Sequence, residues 1–163
     1  MKRRRITGII TGIAAIAGIA GIATDRFCVR KVLNQKRQEL EKLKGNLMIL
    51  SEWMEFYRRG MTMEKVLEKK GNSVVAIYGM GILGSHLYQE LENSGIQVRY
   101  LIDRNPVRGV YQSEVCGIET ELKGIDAVIV TPVYQFEEIK EEIKKRNQVA
   151  VLPLRELLGE ETI

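Results

Sequence analysis

The chain has 163 residues, 45% of them hydrophobic and 28% charged, which suits one globular domain and excludes a disordered tail, a collagen or a multidomain enzyme. Its two cysteines, Cys28 and Cys116, form no CxxC pair, so a disulfide framework or zinc ribbon is unsupported and a reducing compartment fits best. The formal charge of +4 is the sum of +6 over residues 1–31, +3 over 32–71 and −5 over 72–163, so the globular part is acidic and nucleic-acid binding is not expected.

Residues 6–24, ITGIITGIAAIAGIAGIAT, hold nineteen positions without a charge. As a helix they span about 28 Å, close to a bilayer core of about 30 Å. The reading is an uncleaved transmembrane anchor from Ile6 to Thr24, with residues 1–25 as the membrane segment. A secretory signal is one rival, because MKRRR resembles a basic n-region, but the apolar run exceeds the length signals use. An interfacial helix is the other, but the isoleucines drift around the helix and define no polar face. Four basic residues precede the run and seven follow it within twenty positions. That bias predicts a single-pass protein of the inner, cytoplasmic membrane with its globular domain in the cytoplasm. Small residues at spacing four, as Gly8/Gly12 and Ala14/Gly18, add an expectation of a homo-oligomer or a membrane-protein partner.

Residues 26–71 read as a helical connector. Over 26–44, charges of both signs surround Val29, Val32, Leu33, Leu40 and Leu43, the pattern of an exposed stalk helix with one thin apolar stripe. Leu47, Leu50, Trp53, Met54 and Tyr57 then recur at three and four and predict an amphipathic helix closing at Arg58-Arg59-Gly60. Thr62 caps a short helix, Met63 to Lys70, ended by Gly71. These helices either pad the globular domain or offer the Trp53 face to a dimer mate or partner.

From Ser73 the period changes. The run VVAIY predicts a strand over Val74 to Tyr78, GMG a turn, and Ile82, Leu83, Leu87, Tyr88 and Leu91 a helix. Gly79, Gly81 and Gly84 fall at GxGxxG spacing: Gly79 permits the tight turn, Gly81 lets a pyrophosphate approach the backbone, and Gly84 lets the helix pack on the strand. The turn amides from Met80, Ile82 and Leu83 and the helix dipole favour an anion. A second apolar run, Val98 to Ile102, ends in Asp103, placed to bond a ribose diol and to disfavour a 2′-phosphate, although Arg104 beside it leaves room for one. The alternation continues with strands at Asp126 to Thr131 and Val149 to Leu152, helices at Phe136 to Arg146 and Arg155 to Leu158, and a short strand near Cys116 to Ile118. The fold class is α/β over residues 72–163, a small doubly wound parallel sheet, Rossmann-like, with its crevice at the strands' C-terminal ends, where Thr131 lies.

The stretches AIYGMGILGSHLYQELENSGIQVRYLIDRNP and DAVIVTPVYQFEEIKEEI resemble the small Rossmann-like domains of bacterial surface-polysaccharide and sugar-modifying proteins. Relatives of that kind are the N-terminal domain of PglD-like sugar acyltransferases and the C-terminal domain of sugar C-methyltransferases. The similarity covers residues 73–158. It implies NAD(P) or a nucleotide sugar at Gly79, Gly81 and Gly84, with Asp103 on the ribose. The hexapeptide repeats of the acyltransferases and the methyltransferase portion do not occur in the chain, so neither activity is inherited.

Catalytic candidates are sparse. No tyrosine has a lysine four residues later, which removes the Tyr-x-x-x-Lys pair of short-chain dehydrogenases. His86 reads as a helix residue facing solvent or the sheet edge, Cys116 as an inert half-buried thiol, and Asp126 as the start of its strand with no second carboxylate at metal-ligand spacing. The expectation is therefore a module binding NAD(H) or a nucleotide sugar, accessory or regulatory in glycan assembly. The alternative is an oxidoreductase or nucleotide-sugar-modifying enzyme completed by a partner subunit.

Overall fold

The computed structural model describes residues 3–106, 111 and 115–160, with side chains described from Val29 onward. The chain divides into two compact units, residues 1–44 and 45–163. Helix α1, Arg3–Arg58, supplies the first unit and opens the second; α2 is Met63–Lys69. Then come β1 (Val74–Tyr78), α3 (Ile82–Glu92), β2 (Gln97–Ile102), β3 (Val115–Cys116), β4 (Ala127–Val130), α4 (Phe136–Lys144), β5 (Ala150–Pro153) and α5 (Leu154–Leu158).

All four strand pairings are parallel, in the order β3-β2-β1-β4-β5. The expected parallel α/β sheet is present with its first strand at the expected residues. The central strands β1 and β4 are continuous apolar runs because both their faces are covered, whereas β2 exposes Gln97 and Arg99. Val75, Ile77, Leu101 and Ile129 point to one face, where they pack with α2, α3 and α5. Ala76, Tyr78, Ile102, Val128 and Val130 point to the other and meet Ile139 and Ile143 of α4. Since α3 follows β1 on one face and α4 follows β4 on the other, the chain changes direction between β1 and β4, and sheets of this order hold their ligands at the C-terminal ends of those strands.

The second half of the expected connector is part of this core. Ile49, Trp53 and Phe56 of α1 are buried with Met63, Val66 and Leu67 of α2 in the cluster that holds Val75 and Ile77. At Gly45 a β-carbon would lie 2.5 Å from the ring of Tyr134, an exposed side chain that can turn aside. Thr62 caps α2 as its type predicts, its hydroxyl accepting from the Lys65 amide at 3.3 Å. Gly60 and Gly71 end their helices with φ of 73° and 74°, the left-handed conformation that glycine adopts without strain.

One expectation is corrected. Among the described residues no helix is long and apolar enough to cross a membrane, so the single-pass, inner-membrane topology is not supported and the fold is α/β without an established anchor. The run Ile6 to Thr24 that suggested it lies outside the residues whose side chains are described. Seven isoleucines carry its apolarity, whereas the other twelve positions are alanine, glycine and threonine, which contribute little to insertion.

Candidate functional site: the glycine turn at the sheet's C-terminal edge

The turn after β1 is shaped by three glycines, each for a different reason. Gly79 has φ of 92°, and a β-carbon there would meet the Pro132 ring at 2.7 Å and the Thr131 hydroxyl at 2.8 Å. At Gly84 a β-carbon would fall on the Gly79 carbonyl oxygen, so the first turn of α3 can lie against the strand only with glycine there. Gly81 is the opposite case: it has φ of −79°, and among the described residues a β-carbon there would meet nothing within 4 Å. The described residues leave the space over Gly81 open, as a group approaching the backbone requires.

Gly81 is also the N-cap of α3, and no described side chain caps the helix. The first amides of a helix have no acceptor within it, so those of Ile82 and Leu83 are left to an incoming group and carry the positive end of the helix dipole. The Ile82 side chain is 56% exposed beside them. Leu83, in contrast, is buried in the core and can contribute only its amide.

Two neighbouring strand ends hold this turn. Asp103 Oδ2 accepts from the Met80 amide at 2.7 Å, and Oδ1 accepts from the Asn105 amide at 2.8 Å. The Gly79 amide donates to the Ile102 carbonyl at 2.8 Å. From β4, the buried Thr131 hydroxyl donates to the Gly79 carbonyl at 2.7 Å and lies 3.2 Å from that of Tyr78. Asp103 and Thr131 therefore stand where the spacing puts them, and both brace the turn. A carboxylate oxygen has two acceptor sites, so Asp103 keeps capacity for a ribose hydroxyl.

Arg104 turns elsewhere. Its guanidinium pairs with Glu138 at 2.7 Å and Glu142 at 3.3 Å, both on α4, and these carboxylates favour its charged form. It is committed to α4 instead of waiting for a 2′-phosphate. Nearby, Tyr78 is buried and its hydroxyl has no partner among the described residues. Burial pushes that hydroxyl above its ordinary range, against the pull of Arg104.

Tyr111 and Ser85 were not expected here. The Tyr111 hydroxyl lies 2.5 Å from Ser85 Oγ and 3.2 Å from the Met80 carbonyl, and its ring meets Tyr88 edge-on at 5.6 Å. Ser85 Oγ lies 2.8 Å from the Gly81 carbonyl. Tyr111 thus borders the turn, a position no periodicity announces because it sits in the irregular link after β2.

The remaining sequence candidates make other contacts. His86 meets Trp53 edge-on at 4.6 Å and Tyr57 at 6.3 Å, facing α1. Cys116 lies in β3 and offers its carbonyl to the Asp103 amide at 3.0 Å. Asp126 sits at the sheet's other end, accepting from the Ser73 and Val74 amides at 2.8 Å each. No protein-family model, curated protein or solved structure matches the chain.

Proposed function

We propose that the chain is a nucleotide-binding module whose Gly79 to Gly84 turn receives the phosphates of NAD(H) or of a nucleotide sugar. The observation that carries this reading is the open approach to Gly81 at the uncapped start of α3, at the crevice where α/β sheets of this order hold ligands. The remaining acceptor capacity of Asp103 supports a ribose contact. The commitment of Arg104 to Glu138 and Glu142 favours NAD over NADP. The motif resemblance supports an accessory or regulatory place in surface-polysaccharide or glycan assembly.

Titration calorimetry of the full chain with NAD, NADP and a uridine diphosphate sugar tests the reading. Saturable binding of NAD or the sugar nucleotide, lost in Gly81→Val, is the expected result. No binding of any of the three, or binding unchanged in that variant, would overturn it.

A further inference from the structure

Helix α1 carries a second apolar pattern that the core does not use. In the first unit Val29, Leu33, Leu40 and Leu43 are all exposed, Leu33 to 62%, and Lys36 occupies the one charged step in their four-three spacing. In the second unit the same sequence spacing continues through Leu47, Leu50, Met54 and Tyr57. Leu47 and Met54 are exposed there, while Ile49, Trp53 and Phe56 are the residues that enter the core. The two sets overlap only at the far end, where Leu50 also packs against the core and the Tyr57 hydroxyl bonds Glu90.

As heptads, Leu33, Leu40, Leu47 and Met54 take position a, and Val29, Lys36, Leu43, Leu50 and Tyr57 take position d. The repeat spans four heptads in sequence, enough for a coiled coil, with its a positions exposed throughout and its d positions clear of the core up to Leu43. A straight helix would let a strict seven-residue repeat wander by about 20° per heptad, so the repeat is meaningful only against a supercoiled mate. We propose that this stripe is the seam of a parallel, two-stranded coiled coil with a second copy of the chain.

Charge selects both mate and direction. Positions e hold Arg30, Arg37 and Lys44, and positions g hold Val32, Glu39 and Asn46. In a parallel pair each g faces the e of the partner's next heptad, which sets Glu39 against the partner's Lys44 and Val32 against the stem of the partner's Arg37. An antiparallel pair would oppose e to e, bringing Arg37 onto the partner's Arg37 and Arg30 onto the partner's Lys44. Lys36 sets strand number and register. Its ammonium is 2.8 Å from Glu39, and in a two-stranded seam the long stem can carry it to the solvent edge, whereas a thicker bundle would enclose it. A shift by one heptad would set lysine against Val29 or Leu43 in two layers instead of confining it to one.

Sedimentation of the full chain tests the proposal and is independent of the nucleotide reading. The expected mass is twice 18.6 kDa, falling twofold in Leu40→Glu/Leu43→Glu. Both residues lie outside the folded core, so that variant is expected to keep its Trp53 emission. In a Cys28→Ser/Cys116→Ser background, Leu40→Cys is expected to cross-link to its own copy under mild oxidation. A monomer at every concentration, a trimer or larger species, a dimer indifferent to the double glutamate variant, or a dimer in which Leu40→Cys fails to cross-link would each overturn it.

Discussion

The Met80 amide donates to the Asp103 carboxylate across 2.7 Å, which makes the acid at the end of β2 a brace for the glycine turn as well as a candidate ribose contact. Asp103→Ala removes the acceptor for two amides, those of Met80 and Asn105. The expected loss is about 1–3 kcal/mol of stability, the usual cost of stranding donors bonded to a charged group. Asp103→Asn keeps one carbonyl oxygen and is expected to recover part of that loss in urea denaturation. Equal stability of wild type and Asp103→Ala would show the brace to be idle.

Gly81 and Gly84 are expected to separate binding from folding. At Gly84 a β-carbon would strike the Gly79 carbonyl, so Gly84→Ala should cost about 1–3 kcal/mol or more through overpacking. At Gly81 the same atom meets no described residue within 4 Å, at an ordinary φ. Gly81→Ala should therefore melt within a degree or two of wild type while its nucleotide affinity falls, as calorimetry on the folded variant would show.

The parts of this site that were legible in the sequence are those encoded by period and spacing. A continuous apolar run, three glycines and an amphipathic helix announced β1, the turn and α3, because each is a local consequence of backbone sterics and burial. The braces were not legible. Whether Thr131 bonds the Gly79 carbonyl, whether Arg104 turns to α4, and that Tyr111 reaches Met80 depend on residues 25 or more positions away, and nothing local distinguishes these side chains from solvated ones. Pro153 illustrates the milder misses: β5 runs one residue further than Leu152 because an edge strand tolerates a residue without an amide proton. At α1 the apolar spacing was readable, but only burial separates the residues that enter the core from those that stay outside.

Glu90 ties three elements together. Its carboxylate accepts from Trp53 Nε1 at 3.1 Å, from the Tyr57 hydroxyl at 2.7 Å and from the Met63 amide at 2.7 Å. Burial first, and then the bond to Glu90, push the Tyr57 hydroxyl above its ordinary range. Glu90→Ala is expected to destabilise by about 2–4 kcal/mol, since buried donors lose a charged acceptor. The chain has one tryptophan, so the emission of Trp53 should change in the variant before any unfolding. An unchanged emission spectrum would show that Trp53 does not depend on the bond.

Tyr78→Phe tests the opposite situation. The hydroxyl is buried without a partner among the described residues, and an unsatisfied buried polar group costs about 1–3 kcal/mol. Removing it should leave stability unchanged or raise it. A clear drop in melting temperature would mean that the hydroxyl has a partner in solution.

Asp126 gives a pH dependence with a fixed sign. Its carboxylate accepts from the Ser73 and Val74 amides, and those two backbone bonds hold it below the usual carboxylate range in the folded chain. The unfolded chain then takes up its proton first as pH falls, so this contribution is complete above the unfolded value, about 3.9. It is lost as pH drops through the lower folded value. Asp126→Asn keeps one acceptor oxygen but cannot ionise. It should be less stable than wild type at pH 7, and the two curves should converge in the acid limb, where the wild-type carboxylate is protonated. Urea midpoints measured from pH 7 down to pH 2 check this: a difference that stays constant across the series would show that the charge on Asp126 contributes nothing to holding the start of β1.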